Sequence, residues 1–237
     1  MGAYGGPNTV TEGLILALDA GAIRSYPGTG TVWSDVSGED NHATSQASAS
    51  VTAGIFNSDG YFNLTEAADV FFLIPGLNNY DFDDKISIEF WIKNTGGDYR
   101  AVVQNSDSID GSSDTVDIRL GREDYYGGGN NGSMGNFSMK LAGTQTGIQF
   151  PVAVNVWTHV HCNYEGSAIK VYLNGVVFAS SAATGGIDQV ANDFKLFRHF
   201  NTGEDLVNPF ASIKIYNVAL SADNVLQNYN AQKNRFI

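Results

Sequence analysis

The sequence predicts an all-β protein: a two-sheet antiparallel β-sandwich formed by residues 1–237 as one domain, with a short C-terminal helix. Three observations carry this expectation. Polar and apolar residues alternate along Ile86-Ser-Ile-Glu-Phe-Trp-Ile-Lys93, the period of two that gives a strand one inner and one outer face. Asn174-Gly175 stands between two further alternating runs and supplies the two positive-φ residues of a type I′ hairpin turn. Charged residues make up only 16% of the chain, against about 25% in an average globular protein, while 27 Gly, 14 Phe and 11 Tyr favour turns and aromatic-rich strands.

From the N-terminus, Leu14-Ile-Leu-Ala-Leu-Asp19 reads as a short apolar strand. Residues 21–38 hold turn chemistry around Pro27-Gly28 and an isolated aromatic, Trp33. In the next strand Ile86, Ile88, Phe90 and Ile92 share one face and Ser87, Glu89, Trp91 and Lys93 the other, so it is expected to be half-buried. Residues 105–114 and 121–135 are Gly/Asp/Ser- and Gly/Asn-rich and are expected to be surface loops. Between them, Val116, Ile118 and Leu120 alternate with polar residues. A three-strand meander follows from Trp157 to Ser180, turning at Glu165-Gly166-Ser167 and at Asn174-Gly175. Further strands are expected around Phe194-Lys-Leu196 and Ala211-Ser-Ile-Lys-Ile-Tyr216. Only the C-terminus reads as helix: Ser221 can cap it, Asp223 suits its first turn, and Val225, Leu226 and Tyr229 share a face. Asn224 at the third helical position leaves the capping box incomplete.

Charge removes several partners. With 13 Lys+Arg against 25 Asp+Glu the net charge is 13 − 25 = −12, and the chain lacks the basic footprint that phosphate backbones or anionic lipid require. No apolar run reaches the roughly 18–20 residues of a membrane span. The first residues carry neither the basic nor the apolar region of a secretory leader, and Gly6 stands where myristoylation wants Ser or Thr. Cys162 is the only cysteine, so an internal disulfide and a thiolate metal cluster are both excluded, and its expected role is packing.

Gly127-Gly-Gly-Asn-Asn-Gly132 has the glycine spacing of a dinucleotide fingerprint but lacks the strand before it and the helix after it. His159 and His161 share one strand face, a spacing that metal sites use, yet no third ligand is visible and packed neutral imidazoles account for them. Glycoside hydrolysis needs two carboxyls flanking one bond; Glu89 stands alone on its strand, and Asp117 is followed on its face by Arg119 and Gly121. With no Gly-x-Ser-x-Gly elbow either, the expectation is a protein that is not an enzyme. Two loop sites remain. Asp107, Asp110 and Asp114 offer oxygen ligands for calcium, with solvated turn aspartates as the alternative. Tyr125, Tyr126, Asn130 and Asn131 offer a stacking face and amides to a carbohydrate, with plain turn composition as the alternative.

The meander resembles a known family. Trp157-Thr-His-Val160, Tyr164-Glu-Gly166 and Tyr172-Leu-Asn-Gly175 are similar to the hairpin of the laminin-G-like, concanavalin A-like lectin/glucanase sandwich. Ile86–Lys93 looks like its "S-I-E-F-W-I-K" strand, and Ile213-Lys-Ile-Tyr-Asn-Val-Ala-Leu-Ser221 like its closing strand and helix start. Ala211 departs from the Gly that is frequent there, and His161 from a small residue, which favours a pocket on that face. The ends, Gly13-Leu-Ile-Leu-Ala-Leu-Asp-Ala20 with Ser25–Gly38, and Leu220–Ile237, resemble stand-alone sandwich proteins of large tailed phages. The resemblance implies a jelly roll that serves as a virion component: a head decoration, fibre or other adhesive appendage at the virion surface, made in the host cytoplasm without a signal peptide. Its implied partners are other virion proteins and cell-surface glycans, in a multicopy or homo-oligomeric arrangement on a symmetric particle. A calcium-dependent lectin module is the second expectation and a hydrolase the third. The glucanase carboxylates have no counterparts here. Asp19 and Asp35 match residues frequent in the phage-like version, with a structural turn role as the alternative.

Overall fold

Every alternating stretch forms a strand. A computed structural model describes residues 8–46, 55–64, 70–97, 100–106, 114–122, 130–198 and 206–237. Along them run β1 (Leu14–Asp19), β2 (Val32–Trp33), β3 (Ala43–Ser45), β4 (Phe56–Asn57), β5 (Tyr61–Asn63), β6 (Phe72–Ile74), β7 (Ile86–Lys93) and β8 (Arg100–Ser106). Then come β9 (Asp114–Arg122), β10 (Asn130–Leu141), β11 (Thr144–Pro151), β12 (Trp157–Tyr164), β13 (Ala168–Leu173), β14 (Val176–Ala182), β15 (Phe194–Leu196), β16 (Pro209–Tyr216) and the helix α1 (Ala222–Gln232).

The strands form two eight-stranded sheets. The front sheet has the order β14-β13-β12-β7-β16-β5-β4, with β1 also paired to β16. The back sheet has the order β11-β10-β9-β8-β15-β6-β3-β2. All pairings between these strands are antiparallel. The β13–β14 hairpin turns through Asn174 at φ 51° and Gly175 at φ 82°, the type I′ signature expected from the sequence.

One apolar core fills the space between the sheets, drawn from the inner faces of both. Trp33, set among turn residues in the sequence, lies at its centre in β2 with no exposed surface. Its ring centroid is 4.7 Å from that of Phe62 and 5.6 Å from that of Phe72, both tilted or edge-on, the arrangement aromatic quadrupoles favour. Phe197 reaches the same cluster from a left-handed backbone, φ 74°. That conformation costs an L-residue about 1–2 kcal/mol, which burial of the whole ring against Phe72 and Phe210 offsets.

Three expectations need correction. β7 is buried on both faces rather than half-buried: Ser87, Glu89 and Trp91 are as inaccessible as Ile86, Ile88 and Phe90. The cause is α1, which lies on the outer face of the front sheet. The helix itself buries Val225 and Asn228 and leaves Leu226 41% exposed, so the predicted Val225/Leu226/Tyr229 face is rotated toward Asn228. Finally, both predicted loops are shorter than expected, because β8, β9 and β10 extend into 105–106, 114, 121–122 and 130–135. Among the described residues no helix is long and apolar enough to cross a membrane.

Candidate functional site

The outer face of the back sheet carries the polar residues that alternate with its core positions. Asp117 lies between Val116 and Ile118 and so points away from the core. Strand register places it in a row: Lys195 opposite Gln104, Gln104 opposite Asp117, and Asp117 opposite Ser138. Leu73 and Thr44 continue the row on one side and Gly147 on the other. A parallel row joins Ala101, Arg119, Asn136 and Gln149. Arg119 Nη2 pairs with Asp117 Oδ2 at 2.5 Å across the two rows.

Gln104, Asp117, Arg119, Asn136 and Ser138 are buried, whereas Lys140, Gln145 and Lys195 are half-buried and Gln149 is exposed. Burial lowers the Lys195 pKa, with Asp193 acting in the opposite direction. At the far side, the half-buried Arg198 guanidinium stacks 3.9 Å over the ring of Phe71. What this face presents to solvent is therefore Lys140, Gln149, Lys195 and Arg198, amide and charged groups able to hydrogen-bond a hydroxylated neutral ligand.

Of the two loop sites singled out from the sequence, only Asp114, Asn130 and Asn131 are described. Asp107, Asp110, Tyr125 and Tyr126 lie outside the described residues. Asp114 opens β9 opposite Ser106, and Asn130 opens β10 opposite Arg122 at the other end of β9. Eight strand steps separate those two anchors, about 26 Å at ~3.3 Å per residue, so the calcium and carbohydrate candidates hang from opposite ends of one strand. Asn131 Oδ1 accepts from Ser133 N at 3.2 Å and from Ser133 Oγ at 2.8 Å. Gln104, Arg119, Asn136 and Ser138 were not singled out by the sequence. Their alternation was visible, but the register that lines them up with Asp117 was not.

The front face is different. Glu89 faces His161 on one neighbouring strand and Lys214 on the other. Its Oε1 accepts from Lys214 Nζ at 2.9 Å, and its Oε2 accepts from Asn228 Nδ2 of α1 at 2.9 Å. His159 Nε2 and His161 Nδ1 lie 3.6 and 3.4 Å from the same Oε2. Tyr216 accepts a second bond from Asn228, and Lys214 donates also to Gln232 Oε1. Trp91 stacks on Phe236 at 4.2 Å and on Tyr229 at 5.8 Å. Burial would raise the Glu89 pKa, but Lys214 and the two imidazoles overcome it and hold the carboxyl well below its usual range. Burial pushes the His161 pKa down against the opposing pull of Glu89. Where His161 favoured a pocket, α1 fills the space.

Among the described residues no three His, Cys, Asp or Glu side chains are arranged to hold a metal ion. Asp35 accepts from Ala17 N and Ser37 N on Oδ1 and from Ser37 Oγ and Asn41 N on Oδ2, so its lone pairs organise a turn. Asp19 accepts from Gly21 N and pairs with Arg235 at 2.6 Å. The buried carboxylates Glu89 and Asp117 occupy opposite outer faces of the sandwich, so the two cannot flank one glycosidic bond.

Two antiparallel sheets, a buried core between them and a polar outer face define a lectin-like jelly roll. The chain belongs to the Concanavalin A-like lectin/glucanases superfamily, whose family model matches residues 56–226. No curated protein matches it. Solved structures with the same fold include the botulinum neurotoxin serotype D binding domain, 13% identical with a TM-score of 0.65 over 94% of this chain and 52% of that one. The binding domain of Paraclostridial Mosquitocidal Protein 1 is 16% identical with a TM-score of 0.67 over 94% and 53%. Botulinum neurotoxin type C, whose cell entry depends on interaction with two ganglioside molecules, is 14% identical with a TM-score of 0.64 over 93% and 51%. The chain thus spans about half the length of these proteins, and at such identities the likeness is one of fold.

Proposed function

We propose that this protein is a non-enzymatic binding domain that takes neutral glycans on the outer face of its back sheet and is displayed in many copies on a phage particle, as a head decoration or fibre. The observation that supports glycan binding is the polar outer face of the back sheet, where Lys140, Gln149 and Lys195 reach solvent around the buried rows Gln104–Asp117–Ser138 and Arg119–Asn136. Sugars are bound by such fixed amide, hydroxyl and charged groups with little net charge. The separation of Glu89 from Asp117 argues for binding without hydrolysis. The particle role rests on the resemblance of the chain ends to phage sandwich proteins.

A glycan array probed with the wild type and with Lys195→Ala/Gln149→Ala tests the site. The expected result is a set of neutral glycans whose signal falls at least tenfold in the variant. An array blank for the wild type, or a variant with unchanged signal, counts against it. Electron microscopy of labelled particles tests display, and absence from purified virions would remove that part of the reading. A calcium-dependent lectin remains the second reading, on the strength of Asp107, Asp110 and Asp114. It requires a higher melting temperature in excess calcium than in chelator.

A further inference from the structure

The Glu89 cluster is closed off from the proposed glycan face, and its construction points to a different role. The groups facing it come from every surrounding element. β7 contributes Glu89, with Lys93 at its end; β12 contributes His159 and His161; β13 contributes Tyr172; β16 contributes Lys214 and Tyr216. From above, α1 brings Asn228, Tyr229 and Gln232, with Lys233 over the Tyr229 ring, and Arg235 lies over Phe236. Residues 8–10 close the side: Val10 N donates to Asn228 Oδ1, Tyr216 donates to the Val10 carbonyl, and Gln227 donates to the Asn8 carbonyl.

The charges at the centre balance when both imidazoles are neutral. Glu89 and Lys214 cancel, and both imidazoles are fully buried within 3.6 Å of the one carboxylate. A proton on either imidazole leaves a net positive charge out of reach of water, and a proton on Glu89 leaves the Lys214 ammonium buried without its partner. Each is costly in a low-dielectric site. The lid above is held by these polar contacts, by the stacking of Tyr229 and Phe236 on Trp91, and by a small apolar cluster of Val225 with Tyr172, Tyr216 and Leu220 that is separate from the main core. Lifting it therefore costs less than unfolding the core.

We propose that α1 and residues 8–10 form an acid-released latch: protonation of His161 and Glu89 undocks them and uncovers Trp91, Tyr172 and Tyr216 on the front sheet. The hinge is residues 217–221, between β16 and α1. Opening returns His161 and Glu89 to their ordinary titration, so the open form binds more protons. Acid favours it first below about pH 6.5 and again below about pH 4.5.

Hydrogen exchange on the full chain at pH 7.5, 6.5 and 5.5, corrected for intrinsic rates, tests this. Protection of the α1 amides should fall between pH 6.5 and 5.5 by up to about tenfold per proton taken up, while the β10–β11 hairpin stays protected. Protection of α1 that is constant with pH, or that falls in step with the β10–β11 hairpin, overturns the proposal. In His159→Gln/His161→Gln the fall between pH 6.5 and 5.5 should vanish, and its persistence would also overturn it. Should this variant not fold, the wild-type comparison of α1 with the hairpin decides alone.

Discussion

Glu89 shows how far a single position can depart from its reading in sequence. It stands alone among the carboxylates of its strand, yet it bonds to Lys214 and Asn228, 125 and 139 positions away. Removing one partner of a buried ion pair typically costs about 3–5 kcal/mol, because the other charge is left behind. Glu89→Ala should therefore lower the urea midpoint steeply, while Glu89→Met combined with Lys214→Met should recover most of the loss. Acid acts in the same direction. The depressed His161 pKa means that the unfolded chain takes up a proton more readily than the folded one, so stability is complete above about pH 6.5 and falls below it. Glu89 adds a second loss below about pH 4.5. Melting temperatures recorded from pH 8 to pH 4 should decline in those two windows, and a flat profile would contradict the assignment. The sequence could place Glu89, His159 and His161 on outward-facing positions, but it could not show that a helix covers them.

Elements were far more legible, because each depends on local periodicity and turn chemistry. The β13–β14 turn is the clearest case, with both Asn174 and Gly175 in the left-handed region. A Cβ at Gly175 would sit 3.0 Å from Leu226 and Tyr229 of α1, so Gly175→Ala should cost about 1–2 kcal/mol from backbone strain alone and loosen the helix as well. Thermal denaturation measures the first effect and hydrogen exchange the second. At the other end of the helix, Ser221 Oγ accepts from Asn224 N at 3.2 Å, and Ser221→Ala should cost about 1 kcal/mol. The edge strand β14 has Val176, Val177 and Phe178 47–64% exposed and no charged residue along its length. Edges of that kind pair with one another. Val177→Lys should reduce light scattering on heating. What local patterns left out was register: the same alternation that identifies β8, β9 and β10 says nothing about which polar side chains stand opposite Asp117.

For the molecule as a whole, the division of labour between the two outer faces emerges only after folding. Sheet order brings β7, from the first half of the chain, between β12 and β16 and so creates the buried row on the front, while the order β11-β10-β9-β8-β15 creates the polar rows on the back. Removing residues 221–237 should bare Trp91, Tyr172 and Tyr216, all now under 5% exposed, together with the Glu89 charge. The truncated chain is expected to elute as aggregate on size-exclusion chromatography, against a single species for the intact protein at neutral pH. The same topology has a practical side. Gln227 donates to the Asn8 carbonyl at 2.7 Å, and Phe236 packs on Trp91, so both ends of the described chain leave from the front. A tag, resin or carrier joined after Ile237 inherits an orientation: it starts from the front sheet and leaves the outer face of the back sheet turned away from it. Immobilisation by the C-terminus should leave that back face free to meet ligand, whereas random lysine coupling should mask it, since Lys140 and Lys195 stand on it.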